Sequence, residues 1–188
     1  AFNGWVSSSG YIGPIIDASF EISGDTLETS TWKKQYFVNI TGGEGGNCTV
    51  FSGWVDETTE ITLDAKTQEG YSFIGWKGNG DSSYSGQNYN QTLIINSPVN
   101  QTAIWKKKYY VTIDSELQAT GKGTYLEGES VILEAQESEG LLVRKVFKQW
   151  VGDISSSNNP YTFNIDRDIE VTTVYKKDYT FFLGLLGS

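Results

Sequence analysis

The chain has no histidine, no methionine, one cysteine and three prolines among its 188 residues. It also has no uninterrupted apolar stretch of the roughly eighteen residues that a membrane-spanning helix needs. Each absence closes a class of protein. Without histidine there is no His-based catalytic triad, no histidine zinc site and none of the usual proton shuttles. No Gly-x-Ser-x-Gly, phosphate-loop or dinucleotide fingerprint is present either. The sequence therefore reads as a protein that is not an enzyme and that carries no cofactor. Cys48, the single cysteine, cannot close a disulfide within the chain. It reads as a buried, inert thiol or as a link between chains, so packing and backbone pairing must hold the fold. The missing apolar run also speaks against type IV pilins, which keep a long apolar helix. A chain starting at Ala1 without Met is expected to have lost a secretory leader. The formal net charge of −9 speaks against nucleic acid, whose phosphates need clustered cations.

Acidic neighbours do occur: Asp56 with Glu57, Glu127 with Glu129, and Asp166 with Asp168. A glycosidase needs two carboxylates facing each other across a cleft, and residues on turns read instead as solvated. Asn79 and Asp81 lie in a glycine-containing loop whose spacing fits no EF-hand, so no metal site is expected.

Aromatic residues make up 14% of the chain and glycine is abundant. The patterned stretches are rich in Val, Ile, Thr, Tyr, Phe and Trp, which is strand composition. One junction recurs three times: Trp32-Lys33-Lys34-Gln35-Tyr36-Phe37-Val38-Asn39-Ile40, Trp105-Lys106-Lys107-Lys108-Tyr109-Tyr110-Val111-Thr112-Ile113, and Tyr175-Lys176-Lys177-Asp178-Tyr179-Thr180-Phe181-Phe182-Leu183. The aromatic-Lys-Lys step returns after 73 residues and again after 70. A fixed period of this size signals tandem modules, with the lysines expected in solvated turns or edges between strands.

A second block also repeats. Ile61, Leu63 and Ala65 alternate with polar residues, and Val131, Leu133 and Ala135 do the same apart from Ile132. Alternation of period two marks a strand with one face on a core. Both blocks end at Glu-Gly, at Glu69-Gly70 and Glu139-Gly140, which predicts turns with positive φ at glycine. Phe73 and Trp76 share their spacing with Phe147 and Trp150, and these ring pairs are the expected core anchors. Leu93 to Ile95 and Phe163 to Ile165, then Val99 to Trp105 and Ile169 to Tyr175, close each module. About five antiparallel strands per module follow.

The motif Glu69-Gly70-Tyr71-Ser72-Phe73-Ile74-Gly75-Trp76-Lys77-Gly78 resembles the divergent internalin-type B-repeat family of secreted and cell-surface proteins. That family shows Tyr-x-Val-x-Ile, then Gly-x-x-Val-x-Leu-x-Ala, then Glu-Gly-Tyr-x-Phe-x-x-Trp-x-Gly. The second copy departs at Leu141 and in four extra residues, Leu141 to Val146 being the affected stretch. The resemblance covers about residues 36 to 178 and implies a surface location without catalysis. The expected fold is all-β: two tandem antiparallel β-modules of about 70 residues, sandwich or grasp-like, with an extended N-terminal tail. The expected segments are 1–16 as tail, 17–34 as a β-hairpin, 35–107 and 108–178 as modules, and 179–188 as a C-terminal strand.

The two ends are uncharged and apolar, and free in water such β-prone segments aggregate. Residues 1–16 either pair within the chain or act as a donor strand that fills a groove in the next copy. In the second case Phe20 to Ile22 and Thr26 to Trp32 pair with each other. Phe2, Trp5, Val6, Tyr11, Ile12, Ile15 and Ile16 are then the donor residues. Phe181, Phe182, Leu183, Leu185 and Leu186 then line the receiving groove. Head-to-tail contacts of this kind do not close and so build a filament. The layout resembles the subunits of crenarchaeal thread filaments, secreted β-rich glycoproteins in which each tail strand inserts into the next head.

Four Asn-x-Thr sequons, at Asn39, Asn47, Asn90 and Asn100, are candidate N-glycosylation sites on expected strand ends or loops. Together these features point to a structural, N-glycosylated filament subunit of an archaeal cell surface, a pilus-like thread whose partners are copies of itself and N-linked glycans. The alternative is a tandem-repeat spacer or ligand-binding module of a secreted adhesin or surface-layer-associated protein.

Overall fold

The computed structural model describes residues 1–8, 12–22, 24–138 and 143–179. It divides into two compact units. The first comprises residues 1–68 and 73–105, the second residues 69–72 and 106–188. The described residues form strands and no helix.

The first unit opens with β1 (Phe2–Ser7) and β2 (Glu28–Trp32). Then follow β3 (Gln35–Gly42), β4 (Gly46–Cys48), β5 (Phe51–Asp56), β6 (Thr59–Thr67), β7 (Tyr71–Asn79), β8 (Asn90–Ile95) and the start of β9 (Val99–Asp114). The second unit takes the end of β9, then β10 (Ala119–Thr120), β11 (Gly123–Leu126), β12 (Ser130–Ala135), β13 (Arg144–Gly152), β14 (Tyr161–Asn164) and β15 (Ile169–Asp178). The repeat is thus a repeat of pairing. The first module pairs β3 with β5, β4 with β6, β6 with β8 and β7 with β9. The second pairs β9 with β11, β10 with β12, β12 with β14 and β13 with β15.

One pairing departs from the all-antiparallel expectation. The first and last strands of each module run parallel, Val38–Gly42 beside Val99–Ala103 and Val111–Asp114 beside Ile169–Thr172. Alternation of period two is the same in both kinds of ladder, so the sequence pattern carries no direction. The repeated unit also holds more strands than the expected five: β4 and its counterpart β10 are only three and two residues long, and β5 and β11 add a further pair. The Lys-Lys steps differ from expectation as well. Lys33 and Lys34 lie between strands, but Lys106 to Lys108 sit inside β9 and Lys176 and Lys177 inside β15. Consecutive lysines point to opposite faces of a strand, yet Lys106 and Lys107, and Lys176 and Lys177, are all exposed, since long lysine stems reach water from either face.

The core of the first module takes Val38 and Ile40 of β3, Leu63 and Ala65 of β6, Trp76, Leu93, Ile95, Val99, Ala103 and Trp105. In the second, Val111, Val131, Leu133, Phe147, Trp150, Ile165, Ile169 and Val171 pack into one cluster drawn from both sheets. Each module is therefore a sandwich, in which two sheets bury one face each. Of the expected aromatic anchors, Trp76, Phe147 and Trp150 are buried, whereas Phe73 is half-buried. Residues three apart on a regular strand point to opposite faces. A register shift between Phe147 and Gln149 brings Phe147 and Trp150 together with ring centroids 5.2 Å apart. Gln101 is the buried polar exception in the first module. Its side chain accepts from the Tyr84 amide at 3.0 Å and donates to the Tyr84 carbonyl at 2.6 Å, so it replaces water for a loop backbone that the sandwich has covered.

Gly70 turns with φ 81°, and its expected counterpart Gly140 lies outside the described residues. A second turn separates the modules more sharply. Gly128 has φ 81° between β11 and β12, whereas the equivalent turn between β5 and β6 uses Thr58 at φ 68°. A β-branched residue pays a steric cost in that region. Thr58→Gly should therefore raise stability by about 0.5–1 kcal/mol, the relief being partly offset by the freer unfolded chain. Gly128→Thr should lower it by about 1–2 kcal/mol. Urea unfolding of both variants checks the pair.

Candidate functional site: an uncovered N-terminal segment and a sequon-bearing face

The N-terminal segment and the outer face of the first module carry the candidate residues. The segment does not form the expected hairpin of residues 17–34. Instead β2 pairs antiparallel with β1, with Phe2 opposite Trp32 and Ser7 opposite Glu28. Phe20 to Ile22 lie outside any strand. Two bonds close the ladder, from the Ala1 nitrogen to the Lys33 carbonyl and from the Lys33 amide to the Ala1 carbonyl, each 2.7 Å. The rings of Trp5 and Trp32 meet Phe2 edge-on at 5.7 and 5.6 Å. This aromatic cluster explains why β2 takes β1 as partner.

The donor residues of the sequence reading therefore divide. Phe2, Trp5 and Val6 lie in β1, in a ladder of their own chain, rather than in a tail that reaches away. Trp5 also holds the chain that follows, since its amide donates to the Gly13 carbonyl at 3.0 Å and its indole to the Ile15 carbonyl at 3.1 Å. Ile12, Ile15 and Ile16 remain 72%, 57% and 61% exposed. Phe20, Ile22, Leu27 and Trp32 are exposed as well. A shallow cavity of about 160 Å³ opens among Trp5, Ala18, Phe20 and Glu28, and the buried Glu28 Oε2 has no hydrogen-bond partner among the described residues. Tyr11 and the expected groove residues Phe181, Phe182, Leu183, Leu185 and Leu186 lie outside the described residues.

Charge ties this segment to the module. Lys33 Nζ lies 3.2 Å from Asp56 and Lys34 Nζ 3.0 Å from Glu57. Gln35 donates to Asp56 at 2.8 Å and Tyr36 to Glu57 at 3.2 Å. The acidic neighbours of the sequence are thus structural partners of the first Lys-Lys step. The Gln35 and Lys33 bonds hold the Asp56 carboxyl below its ordinary 3.8, and Lys34 holds Glu57 below its ordinary 4.5. The Tyr36 and Glu57 bonds raise Lys34 above its ordinary value. Cys48 is half-buried, and burial pushes its thiol up.

The expected places for the sequons are strand ends or loops; all four lie in strands, three of them at or next to a strand end. Asn39 is interior to β3, Asn47 sits in β4, Asn90 starts β8 and Asn100 is near the start of β9. They form two neighbourhoods. Asn39 stands beside Asn100 in the parallel ladder, and Thr41 and Thr102 bring their hydroxyls to 3.4 Å. Asn47 and Asn90 flank β6, opposite Lys66 and Asp64, and Asn90 Nδ2 donates to Asp64 at 2.9 Å. Sequence reasoning missed the aromatic pair next to Asn39. Phe37 and Trp54 are cross-strand partners, their rings 5.6 Å apart and 41% and 67% exposed. Period two from Asn39 could have placed Phe37 on that face; Trp54 required β5. Among the described residues no cluster of acidic side chains and Cys is arranged to hold a metal ion. Among the described residues no helix is long and apolar enough to cross a membrane.

The geometry defines a tandem all-β repeat protein. The divergent InlB B-repeat domain matches residues 36–109 and again residues 110–179, and the chain belongs to this family. No curated protein and no solved structure matches the chain.

The ion pairs give a pH dependence. A carboxyl whose folded value is depressed adds stability that is complete above its unfolded value and is lost as pH falls through the folded one. Acidification below about pH 4 should therefore loosen residues 33–36 from the Asp56-Glu57 turn, read as amide shift changes in a pH titration. The double variant Asp56→Asn, Glu57→Gln should show the loosened state already at neutral pH. Exposed pairs contribute little to global stability, so the melting temperature should move far less than these local signals.

Proposed function

We propose that this chain is a structural subunit of an extracellular, N-glycosylated cell-surface filament, in which copies join head-to-tail by donation of the N-terminal segment. The observation that carries this reading is the concentration of exposed apolar side chains in that segment, from Val6 and Ile12 through Ile15, Ile16 and Ile22 to Leu27 and Trp32. Both modules, by contrast, close their own cores. Contiguous exposed apolar surface marks an association site. β1 and β2 form a sheet of only two strands, and such a ribbon is marginal by itself in water. Exchanging β1, or laying Ile12 to Ile16 into a neighbour, therefore sacrifices little within the chain. The apolar, uncharged sequence from Phe181 to Leu186 suits the receiving groove of the next copy. Membership of the B-repeat family supports a surface location.

The triple variant Ile12→Ser, Ile15→Ser, Ile16→Ser in the full chain tests this. The unmodified protein should lengthen into fibres with rising concentration, seen by electron microscopy and sedimentation. The variant should stay monomeric and melt within about 2 °C of the parent, since exposed substitutions cost little. A parent protein that never elongates, or a variant that polymerises like it, overturns the reading. A monomer would leave the tandem-repeat spacer or ligand-binding module of an adhesin.

A further inference from the structure

We infer that an N-linked sugar on Asn39 lies against the Phe37–Trp54 ring pair and holds that face of the first module. The inference rests on the extracellular reading above and goes beyond it by assigning the sugar a seat. Phe37, Asn39 and Thr41 alternate with the buried Val38 and Ile40, so they share the outer face of β3. Phe37 lies two residues before the acceptor, about 7 Å along the strand, which is the reach of an asparagine arm carrying one pyranose. Trp54 extends the platform onto β5, as the direct partner of Phe37. The far flank is taken: Asn100 and Thr102 of β9 stand beside Asn39 and Thr41. The open side of a sugar on Asn39 is therefore the aromatic side.

The chemistry fits that placement. A pyranose presents a face of C–H groups, which packs on the electron-rich face of an aromatic ring while its hydroxyls stay in water. Phe37 and Trp54 meet edge to face, with an interplanar angle of 71°, and both are exposed on the face that carries the polar Asn39, Thr41, Ser52, Asn100 and Thr102. Exposed aromatic rings on a polar strand face have no role in the core. The acceptor nitrogen is also free: among the described residues the Asn39 carboxamide makes no hydrogen bond, whereas that of Asn90 is tied to Asp64. Asn90 follows Tyr89, whose ring meets the half-buried Phe73 at 4.8 Å, but the Asn90 carboxamide is held by Asp64.

A mutant cycle on the full chain, made in an N-glycosylating host, tests the seat. Peptide mass mapping should find Asn39 occupied. Asn39→Gln should then lower the melting temperature by about 2–4 °C, the shift expected when one aromatic contact is lost from a chain of this size. In the background Phe37→Ser, Trp54→Ser the same substitution should change nothing. In a host without N-glycosylation it should also change nothing, which separates the sugar from the asparagine itself. A bare Asn39 while other sequons carry sugar overturns the inference alone. So does an occupied Asn39 whose loss has the same effect with and without the rings. Native protein bare at all four sequons overturns it together with the glycosylated part of the filament reading, whereas fibre formation is scored independently.

Discussion

The parallel ladder between the first and last strand of each module is the constraint from which the rest follows. Two parallel neighbours cannot be joined by a tight turn. The chain leaving β3 must cross the module before it returns as β9 beside its own start, and β9 and β15 repeat that course. The residues in between have to form strands on both flanks of the ladder and a second sheet over its apolar face. That is the observed arrangement, with β5 and β7 on the flanks and β4, β6 and β8 as the cover. The shared strand follows from the same rule. Its first part, Val99–Ala103, completes one module, and Val111–Asp114 begins the next. The ladder also creates the sequon neighbourhood, because only a parallel register brings Asn39 beside Asn100 and Thr41 beside Thr102.

Much of this was legible in the sequence, for identifiable reasons. The aromatic-Lys-Lys period gave the module count, and the alternation around Leu63 and Leu133 gave the inner face of β6 and β12. The Phe-x-x-Trp spacing gave the buried anchors Trp76 and Trp150. Strand direction was not legible, since side chains alternate identically in parallel and antiparallel strands. Short strands such as β4, of three residues, leave no periodic signal. The pairing of β2 with β1 depends on contacts between Phe2 and Trp32, thirty residues apart along the chain. Local pattern therefore favoured the nearer partner, Phe20 to Ile22. The exposed Phe37–Trp54 pair was hidden for a similar reason: half of it sits on a strand that the pattern did not reveal.

Burial separates the chain into parts with different physical tasks. Each module buries a core of large side chains, and in the second Val131, Leu133, Trp150 and Val171 are entirely covered. Full coverage of Val, Leu and Ile side chains contributes roughly 1.5–3 kcal/mol apiece before chain entropy is set against it. The N-terminal segment gains little of this. Its ribbon is secured by an edge-to-face ring cluster, two terminal backbone bonds and exposed ion pairs to Asp56 and Glu57. Interactions of that kind orient a segment more than they stabilise it. A segment that is positioned but weakly covered can change partners without disturbing the modules behind it.

The sequon distribution is consistent with this division. All four Asn-x-Thr sites fall between Asn39 and Thr102, and none occurs in residues 1–34 or beyond residue 107. A sugar is bulky and strongly hydrated, so it opposes close apolar contact wherever it sits. Sites spread along the chain would place such a group on the exposed isoleucines or beside the C-terminal segment, and would block the contact proposed for them. Confined to β3, β4, β8 and β9 of one module, they leave both apolar segments bare. Within that module the Asn39 neighbourhood has an exposed ring pair on the outer face of its own strand and the next to cover. A sugar seated on Phe37 and Trp54 would cover an apolar patch of the first module, while Ile12, Ile15 and Ile16 stay exposed in the segment proposed to join copies.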